Sequence, residues 1–154
     1  MLTECLNLVK VPHDALFTVA LPVADNPVNI AEAARVGERM VQIMRTHKGI
    51  GLAANQVGLP IRVFVCHIEG VTEVPMVCIN PEIELAGDMR GGREGCLSDP
   101  GAQVFVRRRH RATLTYTDTD GVRLAVKGYG LLARVWQHEI DHLNGINIRA
   151  KRGA

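Results

Sequence analysis

Two of the six histidines in the chain lie four residues apart near its C-terminal end, in the segment QHEIDHLNG. His138 and His142 frame a His-Glu-x-x-His pattern, and Glu139 directly follows the first histidine. On an α-helix, residues four apart project from one face, so two imidazoles at this spacing can hold one metal ion. Glu139 would then be close enough to act as general base toward a water molecule at the metal. The pattern predicts a metal-dependent hydrolase, and it leaves Asp141 as either a supporting partner or a solvated charge.

A catalytic metal site usually has three protein ligands and one open position, so the two histidines need a third partner. The twelve residues after His142 contain no His, Glu, Asp or Cys, which places the third ligand upstream. Cys96 is the best candidate, because its segment REGCLSDPG is flanked by glycines and a proline that predict a loop or strand end. A lone cysteine is more often a small buried hydrophobic residue, and this alternative stays open.

A third unusual stretch, GIGLAANQVG at residues 49–58, is rich in small residues that allow close backbone approach. It is not a P-loop, because no Gly-Lys-Ser/Thr follows, and no strand precedes it as a dinucleotide-binding fingerprint requires. Gln56 could point an amide N–H at a developing oxyanion. The alternative is a tight turn in which Gln56 is exposed to solvent.

Composition narrows the class of protein. A length of 154 residues favours one domain, residues 1–154, and 47% hydrophobic with 22% charged residues is typical of a globular protein. The net charge of +2 is too small to indicate nucleic-acid readout or membrane binding. The local exception is a run of four arginines, which we interpret as a solvated or edge-strand feature. The run comprises Arg107, Arg108, Arg109 and Arg111.

The sequence also bears on location and redox state. No stretch approaches the about 18 apolar residues of a membrane span, and the N-terminus lacks a basic start followed by a long apolar run. We therefore expect a cytoplasmic protein. The four cysteines lie far apart without a Cys-x-x-Cys pair, so we expect buried or free thiols rather than a disulfide scaffold. They are Cys5, Cys66, Cys78 and Cys96.

The elements that must position these residues follow from periodicity. Residues 1–28 contain three prolines and predict an irregular start, after which a helical pattern runs from Asn29 to near Lys48. A second helical pattern begins after Gly130 and stops at Gly145. Asp120-Gly121 predicts a hairpin turn. Short strands are predicted at residues 61–67, 75–80, 82–87, 102–107, 112–117 and 122–127. These elements predict an α+β fold, with antiparallel or mixed sheets packed around a central C-terminal helix carrying HEIDH, plus a helix in the N-terminal half.

Taken together, the three stretches resemble the three signature motifs of the peptide deformylases. GIGLAANQ resembles the first motif, EGCLS the second and QHEIDHLNG the third, in the same order. The separation of Cys96 from His138 agrees as well. The likeness extends from about Pro12 to Ile148. The chain ends at Ala154, which resembles the compact members that lack a C-terminal helix.

The resemblance implies an activity: metal-dependent hydrolysis of the N-formyl group from the N-terminal formyl-methionine of newly made polypeptides, which releases formate. It implies one divalent ion, usually Fe²⁺ in the cell, with Zn²⁺, Ni²⁺ or Co²⁺ able to replace it. The implied partners are the nascent formyl-methionyl polypeptide and, transiently, the ribosome. The ion's implied ligands are Cys96, His138 and His142.

The resemblance also assigns the other roles. Glu139 would be the general base and acid, and Gln56 with the backbone N–H of Leu97 would form the oxyanion hole. Glu94 would support a metal ligand. The residues expected to bind substrate are Ile50, Gly51, Leu131, Val135 and Arg108, with the ring of His138 beside the methionine side chain.

Three residues depart from the family pattern or lie where they could reshape the substrate groove: Asp99, Arg93 and Arg134. Two other interpretations of the sequence remain at this point. One is a different small His-Glu-x-x-His peptidase, and the other is a non-catalytic domain with a structural metal, for which Cys5, Cys66 or Cys78 could supply a fourth ligand.

Overall fold

Five antiparallel strands form one sheet whose spatial order follows the chain. The structure is a computed structural model that describes Thr3 and residues 5–153. The strands are β1 (Gly51–Ala53), β2 (Val63–Cys66), β3 (Met76–Cys96), β4 (Asp99–Thr117) and β5 (Arg123–Tyr129). The helices are α1 (Pro27–Thr46) and α2 (Leu131–Leu143), with short 3₁₀ helices at Asp14–Phe17, Ala54–Val57 and Ile148–Lys151. The predicted α+β fold with antiparallel pairing is confirmed.

The two helices pack on opposite faces of the sheet, and β2 shows why. All four residues of β2 are buried. Val63 and Val65 pack with residues of α1, whereas Phe64 and Cys66 pack with residues of α2. Since successive side chains of a strand point to opposite faces, a fully apolar strand must be covered on both sides. The sheet therefore lies between the two helices.

Both helices begin and end at residues that suit those positions. Asn26 caps α1 by accepting a hydrogen bond from the Asn29 N–H, and Pro27 occupies the first turn, where its missing N–H costs nothing. Gly145 has a φ of 73° and follows α2, as the sequence predicts for its C-terminal stop. In the described part of the chain, no helix is both long and apolar enough to cross a membrane.

The two longest strands differ from the prediction. Residues 75–80 and 82–87 were expected as separate strands, but β3 runs through them to Cys96 with irregularities in register near Asn80 and Gly87. Likewise β4 joins the predicted strands 102–107 and 112–117 across the arginine run. Arg108 can face inward there because it is paired with carboxylates, which a local pattern cannot reveal.

Smaller differences lie elsewhere. The short strand β1 falls in a stretch expected to be a loop, because its small residues carry no strand pattern. Where described, the predicted irregular N-terminal stretch is interrupted by the 3₁₀ helix Asp14–Phe17, and α1 begins two residues earlier than predicted. Met1, Leu2, Glu4 and Ala154, which the predictions also covered, lie outside the described residues.

Candidate active site and metal centre

The helix α2 carries the His-Glu-x-x-His pattern on its inner side. His138, Glu139 and His142 are all buried, with His142 only 1% exposed. Trp136 and Leu143 of the same helix are fully buried in the apolar core against the sheet. This packing fixes the rotation of α2 about its axis, so both imidazoles point toward the end of β3.

Cys96 completes the cluster from the opposite side. It is the last residue of β3, it pairs with Asp99 across the two-residue turn Leu97-Ser98, and its Sγ lies 3.4 Å from Nε2 of His142. One ligand atom from each of Cys96, His138 and His142 lies within 4.8 Å of the other two. Bonds of about 2.0–2.3 Å at a tetrahedral ion place ligand atoms about 3.5 Å apart, so the three side chains fit one divalent ion.

The donor set leaves a coordination position open. Among the described residues, the group holds these three ligands and no fourth His, Cys, Asp or Glu. The three other cysteines predicted as structural alternatives are not in the group: Cys66 and Cys78 are buried in the core and Cys5 is exposed. Structural zinc sites are usually closed by four protein ligands, whereas catalytic sites keep one position for water or substrate. The geometry therefore favours a catalytic site.

Glu94 holds the first histidine in place. Its Oε1 lies 2.8 Å from Nδ1 of His138, which leaves Nε2 as the nitrogen that can face an ion. Arg108 donates two hydrogen bonds to the Glu94 carboxylate, at 2.9 and 3.0 Å, and Arg134 donates a third at 2.6 Å. Burial opposes the charged form of Glu94, but the hydrogen bonds with His138 and Arg108 outweigh it and lower its pKa well below the usual range.

Burial and charge set the protonation of the two imidazoles in opposite directions. Burial lowers the pKa of His142 to about 3, so its ring is neutral and its lone pair is available to a metal. For His138, burial is outweighed by hydrogen bonds with Cys96 and Glu94, which raise its pKa to about 10. Cys96 and Glu94, which stabilise a proton on His138, would equally stabilise a metal cation at its Nε2.

Glu139 lies beside the three proposed metal ligands and lines a cavity next to them. It is 3% exposed, and its Oε2 has no hydrogen-bond partner among the described residues. Burial raises the pKa of Glu139 to about 7, which suits a group that must both accept and release a proton near neutral pH. Gly51 of β1 packs against it so closely that a Cβ there would collide with Glu139 Oε1.

Gln56 and Leu97 also lie at the cluster and line the same cavity as Cys96 and Glu139. The Gln56 amide is buried and oriented by two contacts: its Oε1 accepts from the Ala53 N–H at 2.9 Å and its Nε2 donates to Ser98 Oγ at 3.2 Å. The same Nε2 lies 3.6 Å from Cys96 Sγ. Leu97 is the second residue of the turn. A β-turn is closed by a hydrogen bond between its first and fourth residues, so this bond does not use the Leu97 N–H. The sequence did not single out Ser98, although it follows Leu97 in the second motif.

A cavity of about 530 Å³ opens above this cluster. It brings together most of the residues predicted from the sequence. Those lining it are Ile50, Gly51, Gln56, Cys96, Leu97, Leu131, Val135, His138 and Glu139, together with Glu94, Arg93 and Arg134. His142 lies deeper, behind them.

Two predicted residues are placed elsewhere. Arg108, expected near the substrate, is 5% exposed and does not line the cavity; it bridges Glu94 and Asp141 behind the histidines. Asp141, left open by its spacing, is thus a partner of Arg108. Asp99, expected to influence the groove, is buried in an ion pair with Arg149, a residue that the sequence pattern did not mark. Both differences arise because a carboxylate or guanidinium is buried where an opposite charge is available.

Comparison with known proteins gives consistent likenesses. A family model described as polypeptide deformylase matches residues 5–152. A peptide deformylase of Agrobacterium fabrum is 44% identical over 119 residues, which cover 75% of this chain and 70% of that protein. The crystal structure of a peptide deformylase from Thermotoga maritima matches with a TM-score of 0.86 and 35% identity, covering 98% of this chain and 99% of that one. A Synechococcus elongatus peptide deformylase in complex with actinonin also matches with a TM-score of 0.86, at 36% identity, covering 97% of this chain and 79% of that one.

Proposed function

The chain belongs to the polypeptide deformylase family, and from this we propose how its own residues carry out the reaction. The enzyme removes the N-formyl group from newly made polypeptides by hydrolysis, which releases formate. The family needs a metal ion, and Cys96, His138 and His142 form a group that could hold one. The convergence of these three ligands beside Glu139, at the base of a cavity, is the observation that carries the proposal.

We propose that the ion is Fe²⁺ in the cell, held by Cys96 Sγ and by Nε2 of each histidine. A ligand set of one thiolate and two imidazoles suits borderline divalent ions, and Zn²⁺, Ni²⁺ or Co²⁺ could occupy it in purified protein. When bound, the ion would supply Lewis-acid chemistry toward water and the formyl carbonyl. Glu94 keeps His138 oriented, and Arg108 keeps Glu94 charged.

Glu139 moves the protons. Its carboxylate accepts a proton from the attacking water and delivers it to the departing amine. The pKa of about 7 that burial gives Glu139 supports both halves of this task, because a carboxylate with an ordinary pKa would be a poor donor at neutral pH.

Gln56 and Leu97 stabilise the formyl oxygen as it gains negative charge. The Gln56 side-chain amide and the Leu97 backbone N–H would donate to it from the wall of the cavity, which both residues line. The contacts of Gln56 with Ala53 and Ser98 support this role, because a donor held in place in advance need not reorganise during the reaction.

The methionine side chain enters the apolar part of the cavity. Ile50, Leu131 and Val135 would contact it beside the ring of His138, and Gly51 would let the substrate backbone approach closely. Arg93 and Arg134 line the same cavity, which supports an influence on the residues that follow methionine. For Arg108 we propose a positioning role through Glu94 in place of substrate contact.

Residues 1–154 are proposed to act as one catalytic domain, since α1 and α2 each form a buried cluster with the same sheet. We also propose that the enzyme works in the cytoplasm and contacts the ribosome transiently, because its substrate is a polypeptide that has just been made.

The test is formate release from a short formyl-methionyl peptide by protein purified without oxygen, with metal counted in the same sample. We expect formate release with about one metal per chain, and more activity with Fe²⁺ than with Zn²⁺. The matched control is the same peptide without its formyl group, which should remain intact. Metal without formate release would refute the proposed reaction, and cleavage of the unformylated peptide would favour a peptidase.

A further inference from the structure

A row of arginines extends along the outer face of β4. Arg107, Arg109 and Arg111 are exposed, and they alternate with residues that are buried or half-buried. Side chains two residues apart on a strand lie on the same face, about 6.6–6.8 Å apart. The three side chains therefore leave β4 in a row on the same face, and the Arg109 guanidinium donates a hydrogen bond to the Gly87 carbonyl.

Protection of a sheet edge does not account for this row. On one side of β4, Arg107 pairs with Gly91, Arg109 with Met89 and Arg111 with Ala86 of β3. On the other side, β5 pairs with β4 from Arg111 onward, and Gln137 of α2 binds the backbone of Arg109 through both its amide atoms. From Arg109 onward both edges of β4 are thus covered, so Arg109 and Arg111 are not needed to block pairing with another strand.

The positive charges of this row are not balanced by acidic neighbours. Its cross-strand neighbours Gly91, Met89 and Ala86 are uncharged, and in the part of the chain that the structure describes none of the three arginines forms an ion pair. The acidic residues on this face, Glu82 and Glu84, lie beyond Arg111 toward the far end of β3. Like charges in a line repel one another, so this surface is suited to an extended anion.

Aromatic rings accompany the charges. Phe105 continues the row, is 52% exposed, and packs over Gly91 so closely that a Cβ there would collide with its ring. The ring therefore lies against the backbone of Gly91, and about half of the side chain stays open to solvent. Tyr129, opposite Arg111, is 74% exposed, and Lys127 lies opposite Thr113 on the same side.

We propose that this surface binds the sugar-phosphate backbone of single-stranded nucleic acid without reading its sequence. It is called the arginine face and comprises Phe105, Arg107, Arg109, Arg111, Lys127 and Tyr129. Rows of cations that follow phosphates, combined with aromatic rings on which bases stack, are how proteins bind single strands of any sequence. None of the six residues lines the catalytic cavity, so this binding is independent of deformylation. It modifies the sequence-based interpretation of the arginine run as a solvated feature, while base-specific readout remains unexpected.

The experiment measures binding of fluorescent oligouridylate and oligothymidylate, about 20 nucleotides long, to the metal-loaded enzyme as salt is varied. The test variant combines Arg107→Gln, Arg109→Gln and Arg111→Gln. The matched control combines Arg35→Gln, Arg39→Gln and Arg152→Gln, which removes three exposed arginines elsewhere. Both variants should keep wild-type formate release, which verifies that they are folded.

We expect the test variant to lower the slope of log K against log salt by about 2, since each phosphate contact in a single strand contributes about 0.7. Binding at about 50 mM salt should weaken at least tenfold, and the control should change it by less than threefold. A third variant, Phe105→Leu, should weaken binding about fivefold or more without changing the slope, because it removes stacking and no charge. The uridylate and thymidylate probes distinguish RNA from DNA as the preferred strand.

Several results would overturn the proposal. One is wild-type enzyme that binds neither oligonucleotide at micromolar concentration in low salt, and another is equal loss of binding in the test and control variants. Binding of an acidic polypeptide or of anionic lipid vesicles with no binding of either oligonucleotide would assign the face to another anion. If the triple variant lost formate release, the single variants Arg107→Gln and Arg111→Gln would replace it, each with an expected slope change of about 0.7.

Discussion

At the scale of single residues, burial tunes each member of the site for a different task. Burial raises the pKa of Glu139 to about 7 and lowers that of His142 to about 3. Both shifts have one cause, because a buried group avoids the charge it would carry in water. The acid thereby becomes able to hold a proton, and the imidazole stays neutral as a metal ligand must. The same environment yields a proton carrier and a ligand from neighbouring turns of one helix.

Replacing Glu139 with glutamine should separate catalysis from metal binding. Glutamine has nearly the same shape but cannot accept the proton, so kcat should fall by on the order of 10²–10⁴. Metal content should stay at about one ion per chain, because Glu139 is not a proposed ligand. Formate release and metal counting on one sample check both. The control is Glu38→Gln, an exposed glutamate of α1, and full activity in Glu139→Gln would contradict the proposed mechanism.

The four thiols should differ in reactivity. Burial raises the pKa of Cys66 to about 12 and that of Cys78 well above its usual value, so neither forms the reactive thiolate in the folded protein. We expect a thiol reagent to modify exposed Cys5 rapidly, and Cys96 only after the metal is removed by a chelator. Mass spectrometry of the modified protein gives the sites, with urea-unfolded protein as the control in which all four react. Modification of Cys66 at the rate of Cys5 in the folded protein would show that the core is more open than described.

At the scale of elements, the site is assembled where several of them end. Backbone bonds from Val9 to Gln56 and from Val11 to Ser98 tie the N-terminal segment to both sides of the proposed oxyanion hole. Asn55 adds two donated bonds to the carbonyls of Ala15 and Thr18. These hydrogen bonds hold the short 3₁₀ helix Ala54–Val57 against the N-terminal segment. The position of Gln56 thus depends on contacts that are distant in sequence.

Gly51 of β1 packs closely against the catalytic carboxylate of Glu139, and Gly51→Ala tests this contact. The added methyl group would collide with Glu139 and contact Val135, so the carboxylate must move. A displacement of about 1 Å at a catalytic group can cost about 10²-fold in rate, so we expect kcat to fall by about that factor while metal content stays unchanged. The control is Gly101→Ala, where a Cβ meets nothing within 4 Å. Unchanged kcat in Gly51→Ala would mean that the strand yields instead of Glu139.

At the scale of the whole molecule, the proposed ion would link the sheet to the C-terminal helix. Cys96 ends β3, whereas both histidines belong to α2, so one ion would close a loop of some forty residues. The link would join the outer end of the β3–β4 hairpin to the core. The metal is therefore expected to support folding as well as catalysis.

Removing the metal should lower the stability of the whole protein. A ligand that binds only the folded state stabilises it by about 2.7 kcal/mol when present at 100 times its dissociation constant. Urea unfolding with and without a chelator measures the difference, and returning the metal should restore the midpoint. Cys96→Ser, which lacks one ligand, should respond far less to the chelator. Equal midpoints with and without metal in the wild-type protein would contradict the proposed link.

The sequence by itself determined the chemistry of the site and the kinds of elements that carry it. His138 and His142 are four residues apart, and helical periodicity alone puts them on one face. Three motifs in order identified the family, and short apolar, β-rich stretches located β2, β5 and the two ends of β4. These features depend on neighbours within a few residues, and so they can be recognised without a structure.

Only the tertiary structure decided which distant groups meet. The merging of short predicted strands into β3 and β4 depends on pairing between them, since the ladder can carry charged or irregular residues that break a local pattern. Arg108 is buried behind the histidines because Glu94 and Asp141 are there to pair with it. Its neighbours Arg107, Arg109 and Arg111 stay exposed, because no carboxylate among the described residues forms an ion pair with them. The pKa of Glu139 and the close approach of Gly51 likewise depend on what surrounds them in space. Burial and charge pairing act between residues far apart in the chain, and so they are properties of the folded protein.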